Sequence, residues 1–299
     1  MRILCLGEAL VDLVCEQPVA SLADADAFVP HFGGSVANVA VTAARRGASV
    51  ALAGGAGDDP WGGWLRAHLV RENVGVEWFR LIEGVRTPVV FVTVDGAAQP
   101  SYHVYGEPVP TLVAALGGRV DEALDASGAL FFTSNSLVDE EERALVMEIR
   151  EKALDRGMPV IFDANFRIGR WESPMKAAGA SRDCVRGAFL VKCNQEEARL
   201  LTGEREPDEA AAGLLAGGAR HVVVTKGAQG AVLRGGRLDY DVPALEVDPV
   251  DTTGAGDVLT GVLLAALADT GFYPPAIAAT LPDAVVEAGR STARWGAVG

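Results

Sequence analysis

The stretch Asp251-Thr252-Thr253-Gly254-Ala255-Gly256-Asp257 combines residue types able to handle a phosphate and an alcohol. An apolar run from Val258 to Ala268 follows it, so it reads as a loop opening into a helix. Gly254, Ala255 and Gly256 carry almost no side chain, which lets a ligand approach the backbone closely. The first N–H groups of a helix have no partner within it, and the helix dipole adds partial positive charge there. Together these make an anion site, and phosphate is its usual occupant. Asp257 falls in the first turn, beside that anion. A carboxylate is a poor phosphate ligand but a good acceptor for a hydroxyl proton. A phosphate cradle next to a positioned base is what phosphoryl transfer to an alcohol requires. The plainer alternative is a glycine turn before a core helix, with Asp257 as a first-turn charge.

Other polar residues stand at the ends of predicted elements. Asp12 comes just beyond the apolar run Arg2 to Gly7, where an open α/β sheet meets its ligands, although a turn carboxylate would look the same. Gly33 and Gly34 run into a helix lasting to Arg46 and closed by Gly47. Asn38 lies one turn in and points back toward the helix start, where its amide can donate to and accept from a hydroxyl; an ordinary exposed helix residue is the alternative. Asn165 and Arg167 end the strand Pro159 to Asp163, and a guanidinium suits phosphate or carboxylate, or a salt bridge closing the loop. Asn194 and Glu197 are three apart at a helix start, the spacing of a capping box.

The Asp251–Asp257 stretch and its small-residue helix match every fixed position of the signature of the ribokinase-like carbohydrate kinases, the PfkB family, which the chain resembles over nearly its whole length. Gly33-Gly34 with Asn38 resembles that family's sugar-holding element. Gly54-Gly55-Ala56-Gly57-Asp58 resembles its first glycine signature, which places a loop before the next helix; Gly54 and Gly55 would lend backbone to the sugar site, while Asp58 and Asp59 read as mainly structural, Asp59 as the helix cap before Pro60. The resemblance implies an ATP-dependent sugar kinase. Asp257 would be its base, with the backbone of Gly254, Ala255 and Gly256 holding the transferred group. Asp12, Gly33, Gly34, Asn38, Asn165 and Arg167 would bind the sugar, joined by Tyr105 or, less simply, His103 from a hairpin. Asn194 and Glu197 would order water around Mg²⁺, Asp251 and Thr253 match the positions of a K⁺ ion in many relatives, and Thr225, Gly227 and Gly230 would lie along the nucleotide. In the last helices, read from Pro275 to Arg294, Ala288, Gly289 and Thr292 would wall an adenine pocket, or simply pack.

The segment Asp163-Ala164-Asn165-Phe166-Arg167 with Trp171, and Gly-Glu-Ala-Leu-Val-Asp near the start, most resemble the fructokinase branch, with Ala164 where proline is common. A 2-keto-3-deoxygluconate kinase is the alternative, weakened by Tyr102-His103-Val104-Tyr105-Gly106, which lacks the arginine such relatives use for the substrate carboxylate. A nucleoside kinase ranks below it. From another class, a nucleotide- or sugar-binding regulator that has lost catalysis ranks lowest, because the acid, the glycines and the Asn-x-x-Glu pair are all present.

These residues need a scaffold, and the chain of 299 residues allows one large α/β domain with a small appendage. Its net charge of −14 argues against a nucleic-acid surface but allows a local nucleotide site. Cys5, Cys15, Cys184 and Cys193 show no zinc or redox spacing and read as reduced core thiols. No apolar run approaches the ~18 residues of a membrane span, and Glu8 and Asp12 interrupt the N-terminus, so no signal peptide and a cytoplasmic protein are expected. Strands at Val50–Ala53, 129–133, 159–163, 189–192 and 221–225 alternate with helical stretches, which gives a doubly wound, mainly parallel sheet with helices on both faces. A discontinuous β lid is expected from about 13–32 and 86–106, including a hairpin turning at Gly96-Ala97-Ala98-Gln99. Its apolar residues Val90, Val92, Tyr102 and Val104 point to a homodimer through the lid.

Overall fold

The computed structural model describes residues 1–105 and 111–298. Its elements run β1 (Ile3–Leu6), β2 (Leu10–Pro18), β3 (Val29–Gly33), α1 (Ser35–Arg45), β4 (Val50–Gly57), α2 (Pro60–Arg71), β5 (Phe79–Ile82), β6 (Val89–Val94), β7 (Pro100–Tyr105), α3 (Thr111–Leu116) and α4 (Val120–Asp125). They continue with β8 (Ala129–Thr133), α5 (Glu140–Asp155), β9 (Val160–Asp163), α6 (Pro174–Val185), β10 (Leu190–Asn194), α7 (Gln195–Thr202), α8 (Pro207–Ala216), β11 (Val222–Thr225), β12 (Ala231–Gly235), β13 (Leu238–Val242), α9 (Ala255–Asp269) and α10 (Pro275–Ser291).

Nine strands form one sheet in the order β13-β12-β11-β10-β9-β8-β1-β4-β5. Neighbours are parallel except in the terminal β11–β12–β13 meander. In β1, Cys5 lies opposite Leu52 of β4 and Phe131 of β8. Alternate strand residues bury to opposite faces, as a period of two demands. Ile3, Cys5, Phe131, Ile161 and Val223 pack with α1, α2, α9 and α10. Leu4, Leu6, Phe132, Phe162 and Val224 pack with α3 to α8. Both faces are covered, so the central strands read as continuous apolar runs. This is the doubly wound architecture that the alternating pattern predicts. The order of strands reverses between β1 and β8, and ligands of such sheets bind outside the carboxyl ends at that point.

A second sheet, ordered β3-β2-β6-β7, stands over those carboxyl ends. Register puts Asp12, Val14, Val90, Val92, Tyr102 and Val104 on one face. Val14, Val90, Val92, Val94 and Ala98 form a buried cluster, with Tyr102 and Trp295 packed against it. The apolar face expected to seek a partner is therefore turned largely onto the chain itself, and only Val104, 54% exposed, stays open. The outer face carries Leu13, Phe91, His103 and Tyr105, with Phe28 edge-on to Phe91 at 4.9 Å. Gly106, the last residue of the expected lid, lies outside the described residues.

Three expectations change. Gly54 to Gly57 is not loop: β4 runs to Gly57 and pairs with β5. Glycine signals a turn only when nothing crowds it; a side chain at Gly54 would strike the carbonyl of Gly7, and one at Gly57 that of Val85. The C-terminal helical stretch, expected to reach Arg294, is one helix ending at Ser291. The pattern left β5, α3, α4, α6 and α8 unassigned. These elements are short or rich in alanine and glycine, so their apolar period is faint. Asp59 caps α2 as expected, accepting from Gly62 N at 2.9 Å, and also takes Thr87 N at 2.9 Å just before β6.

Candidate active site

The carboxyl ends of β1, β8, β9 and β10 converge on the start of α9, where Asp257 is 2% exposed. Its Oδ1 accepts from Ser35 Oγ at 2.7 Å and Asn165 Nδ2 at 3.1 Å. Its Oδ2 accepts from Asn38 Nδ2 at 3.0 Å. A carboxylate offers about four lone-pair sites, so Oδ2 keeps one for a further donor. Asn38 is buried, and its own Oδ1 has no hydrogen-bond partner among the described residues. Asn165 holds a left-handed φ of 34°, a conformation Asn tolerates better than most residues.

Gly254 caps α9 with φ 72°. The N–H groups of Gly254, Gly256 and Asp257 have no protein acceptor among the described residues, while Val258 N already bonds Gly254 O at 2.9 Å. These free donors at a helix N-terminus have the chemistry of an anion cradle. The glycines serve the protein as well. A side chain at 254 would strike Ala297, and one at 256 would lie 2.8 Å from Lys192 Nζ. A buried ammonium thus lies against the anion loop. Lys192 Nζ pairs with Asp163 at 3.1 Å, and Thr260 Oγ1 lies 3.0 Å from that same carboxylate. Burial lowers the Lys192 pKa, but Asp163, Glu197 and Asp257 outweigh it and raise it overall.

Asp12 faces this floor from β2. Burial pushes its pKa up to about 7; the Arg167 guanidinium opposes the shift, while Asp257 and Asp251 add to it. A side chain at Gly33 would overlap the Asp12 carboxylate, and one at Gly34, φ 97°, would press on Glu8 O. The Arg167 guanidinium sits 4.8 Å over the Tyr102 ring. Tyr102 is on the inner face of the lid. Tyr105 is one place off in strand parity, lies on the outer face and is 61% exposed, so it does not join the other sugar-site residues; His103 shares that outer face.

Asn194 and Glu197 form the capping box: Glu197 N bonds Asn194 Oδ1 at 2.9 Å and Asn194 N bonds Glu197 Oε2 at 2.7 Å. Glu197 Oε1 also takes Phe166 N at 3.0 Å, tying the Asn165–Arg167 loop to α7. Asp251 accepts from Thr253 N at 2.8 Å and Gly296 N at 3.0 Å, and buried Thr253 Oγ1 has no partner among the described residues. Thr225 ends β11, and Gly227 is exposed just after it. Gly230 is buried against Val242 O, so packing accounts for it. Thr292 Oγ1 bonds Gly289 O at 2.7 Å, and its carbonyl takes Val250 N and Asp251 N, which holds the approach to the anion loop.

Sequence reasoning gave no site role to Ser35, Glu8, Asn135 or Lys192, and read Tyr102 only as part of an apolar lid face. Lys192 had a signal, since it is a charge inside an apolar strand. The others depend on contacts across distant segments, which no local spacing shows. A surface cavity of about 750 Å³ near Arg182, Thr202, Glu204 and Gly213 holds none of the site residues.

Residues 1–287 match the family model described as pfkB family carbohydrate kinase. The chain is 31% identical over 268 residues to a protein named probable fructokinase-4 from Arabidopsis thaliana, covering 89% of this chain and 82% of that one. It is 30% identical to fructokinase-2 of Solanum lycopersicum over the same shares. Among solved structures, a fructokinase with bound ATP from Xylella fastidiosa superposes with a TM-score of 0.84 at 27% identity, covering 99% of this chain and 94% of that one. An aminoimidazole riboside kinase from Salmonella enterica gives 0.81 at 25% identity, covering 100% and 95%.

Proposed function

The chain belongs to the pfkB family of carbohydrate kinases and is an ATP-dependent sugar kinase, and we propose from that premise that fructose is its acceptor. One observation supports this reading of the chemistry: Asp257 is held by three donors yet keeps an unfilled lone pair, beside N–H groups at a helix start that have no protein acceptor among the described residues. In this reading Asp257 Oδ2 takes the proton of a primary sugar hydroxyl. Ser35, Asn38 and Asn165 fix its plane. The N–H groups of Gly254, Gly256 and Asp257 receive the charge on the transferred phosphoryl, and the Lys192 ammonium adds a fixed positive charge there. Asp12, Asn38 Oδ1 and Arg167 grip the sugar beneath the Tyr102 face of the lid. Thr225 and Gly227 lie along the nucleotide.

Both oxygens of Glu197 already hold backbone N–H groups, and among the described residues no three His, Cys, Asp or Glu side chains gather to hold a metal. Asn194 and Glu197 therefore suit a metal kept in its water shell, as Mg²⁺ prefers. Such an ion, bound with ATP, would neutralise phosphate charge. The buried hydroxyl of Thr253, close to the Tyr102 phenol and beside Asp251, is offered as one oxygen of a site for a monovalent cation such as K⁺. We place a homodimer contact on the outer aromatic face of the lid, around Phe28, Phe91 and Tyr105. Sedimentation should show a dimer that Phe91→Glu dissociates; a wild-type monomer at all concentrations removes that contact.

The acceptor is tested by ADP release with ATP and Mg²⁺ on fructose, 2-keto-3-deoxygluconate, ribose and adenosine. Fructose should give the highest kcat/KM. A higher value for another acceptor would replace fructose and leave the kinase; no turnover with any sugar would remove both.

A further inference from the structure

Ser35 opens α1 and is buried, and three distant segments engage its N–H and its hydroxyl. The N–H donates to Glu8 Oε1 at 3.0 Å, between β1 and β2. The Oγ donates to Asp257 Oδ1 at 2.7 Å, on α9. That Oγ also accepts from Asn165 Nδ2, just after β9, and the same amide reaches Asp257 Oδ1 at 3.1 Å. These contacts settle the hydrogens. A hydroxyl has one, and with an N–H arriving from Asn165 it must go to the carboxylate. The Asn165 amide faces this way round because its flipped form would set an oxygen against a carboxylate. Ser35 and Asn165 thus close a triangle of hydrogen bonds on one oxygen of Asp257. Asn165 holds its corner with a left-handed φ of 34°, a sparsely populated conformation outside glycine. Its backbone is pinned on both sides: Ser134 Oγ donates to Asn165 O at 3.3 Å, and Phe166 N donates to Glu197 Oε1 at 3.0 Å. Strain that the surroundings over-determine in this way points to a task for the side chain.

We propose that Ser35 and Asn165 are a positioning pair for the base: they occupy Oδ1 of Asp257, keep Oδ2 directed at the acceptor hydroxyl, and act on the rate of phosphoryl transfer and not on sugar affinity. Asn165 was expected among the sugar ligands, but its amide nitrogen is turned to the carboxylate. The Ser35 hydroxyl has its one hydrogen committed to Asp257 and a lone pair to Asn165, so its work is done through the base. Glu8 fixes the backbone from which that hydroxyl is presented. The proposal rests on the sugar-kinase reading and adds what holds its base in line.

The test separates rate from affinity. Single-turnover phosphoryl transfer at saturating ATP and Mg²⁺, and KM for the sugar, are measured for wild type, Ser35→Ala and Asn165→Gly. The acceptor is fructose, or whichever sugar wild type turns over fastest; binding of a fluorescent ATP analogue reports that each variant is folded. Glycine is the replacement at 165 because it keeps a left-handed backbone and removes only the amide. Each variant should transfer about tenfold more slowly, the size of one hydrogen bond to a charged group. KM for the sugar should stay within about twofold of wild type, since a contact with the base alone leaves ground-state binding untouched. A raised KM with the wild-type transfer rate in Asn165→Gly makes Asn165 a sugar ligand and overturns the pair. Wild-type rate and KM in Ser35→Ala overturn it too, and either result leaves the kinase standing. Wild type that turns over no sugar overturns the kinase reading itself. Should one variant fail to bind the ATP analogue, the other decides.

Discussion

Lys192 and Asp163 are an ion pair almost wholly removed from solvent, at the ends of two neighbouring strands. Burying two charges is expensive, and a pair of this kind gives little net stability over apolar neighbours. Breaking it is another matter, because the survivor is left charged and alone. Lys192→Met should therefore destabilise the protein by about 3–5 kcal/mol in urea unfolding. The double variant Lys192→Met/Asp163→Asn should recover most of that stability. If the ammonium acts on the phosphoryl group, turnover of the double variant stays at least about tenfold down, a modest loss for a charged donor. Turnover restored together with stability would reduce Lys192 to a structural residue. Gly256 shows the same double purpose: its missing side chain leaves both the backbone open and the ammonium room.

Among the elements, α7 does more than its length suggests. Its first-turn Glu197 closes the capping box and also anchors Phe166 N, so one side chain joins the end of β10 to the loop after β9. Glu197→Gln can satisfy only one of those N–H groups and turns an amide N–H₂ on the other. A loss of about 1–3 kcal/mol in thermal or urea unfolding is expected, together with a raised KM for the sugar through the Asn165–Arg167 loop. An unchanged melting curve and KM would show that the two bonds carry nothing. The cap was legible because Asn194 and Glu197 are three apart in sequence. The bond to Phe166 was not, since it spans strands. The same division holds elsewhere. Strands with strong apolar runs, such as β1, β8 and β9, and the glycine-opened α9 could be read directly. Gly54 to Gly57 misled because a glycine needed for close strand packing looks like one needed for a turn. Tyr105 misled through strand parity: the hairpin was plain, but which of its faces met the body depended on Trp295, nearly two hundred residues away.

At the scale of the molecule, the small sheet is latched to the large one near the chemistry. Thr252 N and Oγ1 both donate to Ala98 O, at 3.1 and 3.0 Å, at the tip of the lid hairpin. The lid that carries Asp12 thus ends on the loop that leads to Asp257, so the two carboxylates share one support. The described residues include no helix long and apolar enough to cross a membrane. Everything converges on a carboxylate held by Ser35 and Asn38 from the N-terminal part of the chain and by Asn165 from its middle. The most direct measurement is single-turnover phosphoryl transfer to fructose by Asp257→Asn, alongside its affinity for ATP. Transfer should fall by about 10²–10⁴-fold, the usual contribution of a positioned base, with ATP affinity nearly unchanged. Transfer at the wild-type rate would contradict the account.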